Sequence, residues 1–426
     1  MDENNVVLNQ ENSNYEGWKK KTALFLSSQS LSLFGSMLVQ YAIIWYITLT
    51  TQSGLFLMAA TLAGFLPQIL ISLFAGVWAD RYHRKFLIIG ADALTAVSTL
   101  ILAIFFLMGY QELWLIFLVS GIRSVGAGIQ MPAVNALLPQ IVPTDRLIKV
   151  NSINSFLQPI IMIAAPVLSG ALMSFSRLEA IFFIDVVTAI LAVGLLFILQ
   201  VPAHQRTEGA ENAGYLDDLK AGLTYIRHNR TVRTLFIFFG FIFFLVTPVA
   251  FLTPLLIARS FGEEVWRLTA NEVTFFVGSI LGGIIMTAWG GFKNHFRTIG
   301  LSCILFAAIF TGLGLSKVFP VYLFFMFLGG IPMPFFQAPT TTLLQETVRP
   351  DMQGRVFSVQ QLIMNTIMPF GMMFFGPIAD IVSIEVLLVI SSFLMAVPGL
   401  WIFFAKEPVK LPTGIGAKDY EMEIGD

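Results

Sequence analysis

Twelve apolar runs of about 19 to 28 residues follow one another along this chain, separated by short polar segments. They cover approximately 22–49, 55–78, 86–108, 113–137, 148–174, 179–200, 233–258, 269–289, 298–316, 320–344, 356–381 and 383–405. Each is long enough to cross a bilayer as a helix, which needs roughly 20 apolar residues. Backbone polar groups in hydrocarbon must be satisfied internally, so continuous apolar runs of this length predict helices. The pattern predicts an all-α membrane protein with twelve transmembrane helices.

The longest polar stretch, 201–232, divides the runs into six and six. The halves also repeat each other. Leu137-Leu138-Pro139-Gln140 through Pro143-Thr144-Asp145 aligns with Leu343-Leu344-Gln345-Glu346 through Arg349-Pro350-Asp351, and at the same offset Ser152 meets Ser358 and Gly170 meets Gly376. A duplicated six-helix unit follows, with two pseudo-symmetric halves at 22–200 and 233–405 and polar tails at 1–21 and 406–426. Parallel halves related by an axis along the membrane normal are a transporter architecture with the substrate site at their interface. Within the linker, Tyr215, Leu216, Leu219, Leu223 and Ile226 recur at helical spacing opposite Asp217, Asp218, Lys220, Arg227 and Arg230. That predicts an amphipathic helix on the inner membrane surface, or a simple tether between the halves.

Composition and charge narrow the reading. Hydrophobic residues make up 56% of the 426 and charged residues only 12%, against about 25% charged in soluble domains. Of the 25 Lys and Arg, twenty fall on one side of the predicted membrane. Four fall on the other (Arg177, Arg259, Arg267 and Lys317), and Arg123 lies within a span. The positive-inside rule then places both termini in the cytoplasm of a multi-pass protein in the cell (inner) membrane. The polar, acidic start Met1-Asp2-Glu3 predicts no cleavable signal peptide. A lone Cys303 excludes a disulfide framework. No Gly-rich phosphate loop supports ATP drive, and no ligand spacing or catalytic constellation points to a metal, a cofactor or an enzyme. Expected partners are the lipid bilayer, protons and a small amphiphilic substrate, with no nucleic acid and a monomeric state.

The charged loop between the second and third runs reads Gly76-Val77-Trp78-Ala79-Asp80-Arg81-Tyr82-His83-Arg84-Lys85. Its Gly, the Asp-Arg four residues on and the basic pair resemble the signature of the major facilitator superfamily, with His83 and Trp78 standing where Gly and Leu are usual. The resemblance covers about residues 19–406. It implies a conformational latch in which Gly76 allows close approach of span two to span eleven and Asp80 caps the N-terminal end of span eleven. Arg81, Arg84 and Arg355, at the start of span eleven, complete the expected latch. A carboxylate is favoured at a helix N-terminus, and the alternative is that these charges mark orientation only. Ala165-Pro166-Val167-Leu168-Ser169-Gly170 is similar to the Gly-Pro motif in span five of the drug-antiporter branch, carried here by Pro166 and Gly170, with ordinary kinked-helix packing as the alternative.

Ionisable residues inside spans cost at least ~2.5 kcal/mol each and are functional hypotheses by default. Asp92, Arg123, Asp185 and Glu272 qualify as proton-coupling candidates. By helical rise Arg123 lies near mid-membrane, where its long side chain reaches either Asp92 or Asp185. A static neutralising pair and a proton-sensitive pair are both open. Gln29, Ser32, Ser36 and Gln40 form a polar stripe on span one, which predicts one wall of a substrate cavity or hydrogen bonding between helices. Ile89-Gly90-Ala91-Asp92, Ile122-Arg123-Ser124, Ile184-Asp185-Val186 and Gly354-Arg355-Val356-Phe357-Ser358 make the chain look most like the bacterial macrolide-efflux branch of the family. The implied activity is proton-driven export of bulky amphiphilic compounds by alternating access. Export or flipping of an endogenous compound, such as a siderophore or lysophospholipid, is the alternative. A non-transporting membrane receptor is a remote one.

Overall fold

The structure, a computed structural model, describes residues 17–201 and 215–404. Among them, twelve helices are long and apolar enough to cross a membrane. The spans are Trp18–Thr51, Gly54–Ala79, Arg84–Leu107, Leu113–Ile141, Thr144–Phe175, Leu178–Ile198, Arg230–Ser260, Val265–Trp289, His295–Leu315, Phe319–Thr347, Gln353–Ile378 and Ile384–Phe404, numbered one to twelve here. The protein is an all-α, multi-pass membrane protein. Several helices outrun the apolar runs that predicted them, because hydropathy registers hydrocarbon whereas a helix continues until a cap stops it. Span seven starts at Arg230 because the Asn229 side chain accepts from the Val232 amide at 3.1 Å. Span ten is two helices, Phe319–Gly330 and Pro332–Thr347. Pro332 has no N–H to continue the ladder, so the predicted single run breaks at Ile331.

The linker contributes the helix Tyr215–His228, shorter than the amphipathic pattern over 214–232. It docks on the start of span eleven rather than lying free. A Cβ at Gly222 would sit 2.8 Å from the Arg355 carbonyl, and the Tyr225 hydroxyl accepts from the Arg349 amide at 3.3 Å. The tails expected at 1–21 and 406–426 lie outside the described residues, apart from 17–21, which open span one.

Twelve crossings put the start of span one and the end of span twelve on one face, called here the terminal face; the opposite one is the far face. At the far face the halves touch closely. A Cβ on Gly54 of span two would fall 2.1 Å from the Gly376 carbonyl of span eleven. One on Gly170 of span five would fall 1.8 Å from the Thr269 hydroxyl of span eight. Only glycine permits such backbone approach. Toward the terminal face the halves part. Eight of the ten residues 151–160 of span five are exposed, covering every side of the helix, and most of 280–289 in span eight are exposed too. A cleft therefore opens to the terminal face and is sealed at the far face.

The two halves bury different cores. The second half has one continuous apolar cluster, which also takes in Trp45 and Leu57 from the first. The first half has two, one around Leu38, Phe106 and Phe182 and one around Phe25, Leu137 and Leu196. Between them on span one lie Ser28 and Ser32, both buried. A polar layer replaces the apolar core at that depth.

Candidate functional site

That layer is built from spans one, three, four and six. Asp92, Arg123 and Asp185 are exposed by only 3%, 7% and 2%. Arg123 is drawn to Asp185, with Nη1 2.5 Å from Oδ2. Thr99 joins this pair: its hydroxyl contacts Arg123 Nη1 and lies 3.0 Å from Asp185 Oδ2. The second guanidinium nitrogen reaches the Ser36 carbonyl at 3.4 Å. Span one can pass this close because position 35 is glycine; a Cβ there would meet the Thr188 hydroxyl at 2.0 Å and Asp185 at 2.9 Å. Of the two carboxylates within the reach expected for Arg123, the one on span six forms the pair.

Asp92 is held differently. Ser32 donates to its Oδ1 at 2.6 Å and Gln130 donates to the same oxygen at 2.8 Å. Its Oδ2 is buried with no hydrogen-bond partner, and among the described residues it makes no ion pair. A buried polar atom left unpaired is costly, and a proton on Oδ2 removes the charge without disturbing either bond to Oδ1. Gln130 also lies 3.4 Å from Gln29 Oε1 and 3.3 Å from Ser32. The stripe on span one thus faces the interior of its own half. Ser32 binds Asp92, the Ser36 backbone binds Arg123, Gln29 meets Gln130, and Gln40 faces Gly64 of span two. Gln130 and Thr99 were missed in the sequence because neutral polar residues are common in membrane helices and neither stands in a recognisable pattern.

Glu272 sits apart from this layer, half-buried on span eight of the second half. Asn271 donates to it at 3.3 Å, and the Tyr41 hydroxyl of span one faces it across the halves. Gly170 packs against Thr269 and Trp45, so the small residue expected in span five makes a contact between halves. Pro166 is buried one turn before it.

The expected latch residues take several places. The Asp80 side chain lies outside the described part of the structure, and Arg81 is exposed. Arg84 donates to the Ala79 carbonyl at 3.0 Å and the Ala136 carbonyl at 2.7 Å. Lys85 donates to the carbonyls of Phe197 and Leu199 at 3.1 and 2.9 Å. These cations cap the C-terminal ends of spans two, four and six, where helix dipoles favour positive charge. A Cβ on Gly76 would meet nothing within 4 Å, so span eleven does not approach it in this conformation. Arg355 is half-buried beside Met352, with Nη1 3.6 Å from the sulfur.

The far-face seal contains charges that the motifs had not pointed to. Asp380 accepts from the amides of Gly54 and Leu55 at 2.7 and 3.0 Å and from the Ser53 hydroxyl at 2.7 Å. Arg259 lies 2.7 Å from Asp380 and also donates to the carbonyls of Gln52 and Ala379. The anion thus sits on the N-terminus of span two and the cation on the C-termini of spans one and eleven, both favourable. Glu263, bound to Gln52, Glu264, paired with Arg267, and Glu385, bound to Ser260, are titratable groups near it.

Burial pushes the Asp380 carboxyl up, but the Gly54 amide, Ser53, the Leu55 amide and Arg259 outweigh it and hold the group below its ordinary 3.8. A carboxyl whose value is depressed in this state supports the state fully above its free value and loses that support as pH falls through the depressed one. Hydrogen exchange at Gly54 and Leu55, corrected for intrinsic rates, should therefore stay protected from pH 8 to about 5. Loss of protection within that range would refute the assignment.

A family model described as Major Facilitator Superfamily matches residues 25–371. Macrolide efflux protein A of Streptococcus pyogenes is 30% identical over 378 residues, covering 87% of this chain and 92% of that protein. The staphyloferrin A transporter of Staphylococcus aureus is 21% identical over 370 residues, covering 85% and 90%. Among solved structures, the nucleoside transporter NupG superposes with a TM-score of 0.65 at 16% identity, covering 91% of this chain and 100% of that one. Twelve spans, the charged loop after span two and these likenesses agree: the chain belongs to the major facilitator superfamily, and it is a transporter rather than an enzyme.

Proposed function

We propose that this transporter exports bulky amphiphilic compounds of the macrolide type by proton antiport, through alternating access, with both termini in the cytoplasm. The observation that carries the reading is the buried polar layer of the first half. It combines a carboxylate with an unpartnered oxygen, Asp92, and a charged pair, Arg123–Asp185, in the middle of an apolar core. Asp92 takes the proton, and the Arg123–Asp185 pair is the neighbouring element whose balance then changes. Glu272, facing Tyr41 of the other half, is the second carboxylate placed to sense which side is open. The membrane potential supplies about 2.3 kcal/mol per charge per 100 mV, enough for more than tenfold accumulation by one proton per substrate.

The cleft that opens to the terminal face is the entry for substrate from the cytoplasm, and the protein works as a monomer. Its lipid-soluble cargo is bound by apolar area with few polar contacts. The likeness to macrolide efflux protein A supports export of such compounds. The likeness to the staphyloferrin A transporter of S. aureus leaves a second reading, export of an endogenous compound such as a siderophore, anionic ones included. An anion needs an uncommitted cation in the cavity, and Arg123 is already bound to Asp185. A drug-susceptibility panel in a pump-deficient host, with and without an uncoupler, tests both. Uncoupler-sensitive resistance to neutral or cationic amphiphiles is expected, and resistance to none of them, with export of anionic chelators, would overturn the substrate class.

A further inference from the structure

Spans two and eleven each cover 26 residues and run in opposite directions across the membrane. They also begin and end alike. Gly54 opens span two and Gly354 is the second residue of span eleven. Each glycine is followed 22 residues later by the same ending, Gly76-Val77-Trp78-Ala79-Asp80 in one and Gly376-Pro377-Ile378-Ala379-Asp380 in the other. Because the helices are antiparallel, the ending of each lies beside the beginning of the other.

At the far face this arrangement is engaged. Gly376 lies against Gly54, and Asp380 takes the amides of Gly54 and Leu55. At the terminal face the equivalent glycines stand open, since a Cβ on Gly76 or Gly354 would meet nothing within 4 Å. A rigid helix of 26 residues is about 39 Å long, so rocking two such helices about a central contact closes one end as it opens the other.

We propose that the crossing of spans two and eleven at the far face is a releasable latch that sets which face of the protein is open. Asp380, clamped by Arg259, holds the far face shut. When the halves rock, that contact is released and the open glycines Gly354 and Gly76 have room to close on each other. Asp380 and Arg259 are then positioning residues for the transport cycle, acting on which face is open and touching no substrate. The inference rests on the alternating-access reading and adds the residues that hold its far-closed state.

The test uses the full-length protein in liposomes, with Cys303→Ser to remove the native thiol. Spin labels go on Gln111→Cys and Lys317→Cys at the far face, or on Asp145→Cys and Lys293→Cys at the terminal face. Distances are read by pulsed electron resonance at about pH 7.5 and 5.5, above the range in which Asp380 titrates. Asp380→Asn should raise the ratio of far-open to far-closed molecules at least about tenfold, the weight of one charge-assisted hydrogen bond. Gly354→Val has room in the present state and should hold the protein there, with no far-open molecules at either pH. The latch is overturned if Asp380→Asn leaves the ratio unchanged or if Gly354→Val still reaches the far-open state. A parent protein that shows two populations yet ignores these changes loses the latch alone. A parent with one population under both conditions loses alternating access as well.

Discussion

Asp92→Asn should abolish uncoupler-sensitive export while leaving the protein folded and in the membrane. Asparagine keeps the oxygen that accepts from Ser32 and Gln130, so both bonds to Oδ1 survive. What disappears is the buried Oδ2, which has no partner in the present structure and is the atom available to a proton. The side chains are close to isosteric, so the expected cost to stability is within about 1 kcal/mol. Resistance in a pump-deficient host should fall to background, while substrate exchange without a pH gradient in liposomes continues. Those two measurements separate coupling from binding. Undiminished resistance with Asn at position 92 would remove Asp92 from the mechanism.

Asp185→Asn should act by another route and cost more in stability. Arg123 and Asp185 are almost fully buried and lie in contact. Removing one member strands the other charge in a low-dielectric interior, typically at a cost of about 3–5 kcal/mol. Against a total stability of about 5–15 kcal/mol, that is a large share. Lower membrane abundance and a thermal transition several degrees lower in detergent are expected. Thr99 and the Ser36 carbonyl still contact Arg123, so the loss should stop short of complete unfolding. The paired change Arg123→Leu with Asp185→Leu should recover part of the stability without transport, because a buried ion pair is replaceable by apolar packing. Parental thermal stability in Asp185→Asn would show that the pair contributes little to holding the half together.

The difference between these two variants was only half legible in the sequence. Asp92, Arg123 and Asp185 stand out because charge in an apolar run is costly wherever the helix faces. The sequence left Arg123 within reach of both carboxylates, since depth along a helix follows from residue number but rotation about its axis does not. The rotations of spans three, four and six decide that Asp185 is the partner and that Asp92 is given to Ser32 and Gln130. The same limit explains the stripe on span one. Its spacing placed Gln29, Ser32, Ser36 and Gln40 on one face, and packing decided that this face meets the polar layer of its own half.

The far-face seal was harder to see. Arg259 counted only as one of four outer cations, and Asp380 falls at the outer end of the eleventh run, where a charge at the membrane surface is ordinary. The repeated ending Gly-x-x-Ala-Asp becomes informative once spans two and eleven are known to lie side by side. The basic pair Arg84-Lys85 shows the reverse case. Its motif context suggested a latch, and the structure brings it to the carbonyl ends of spans two, four and six within the first half.

By itself the sequence determined twelve spans, their order, the charged loop after span two and the residues that carry charge into the membrane. Those features are local, because hydrocarbon selects residues by polarity and length along the chain. Only the tertiary structure decided which carboxylate binds Arg123, which face of the cleft is closed and which glycines are crossing points. These depend on the rotation and tilt of helices distant in sequence, and a lipid-facing and a helix-facing leucine read the same in the chain.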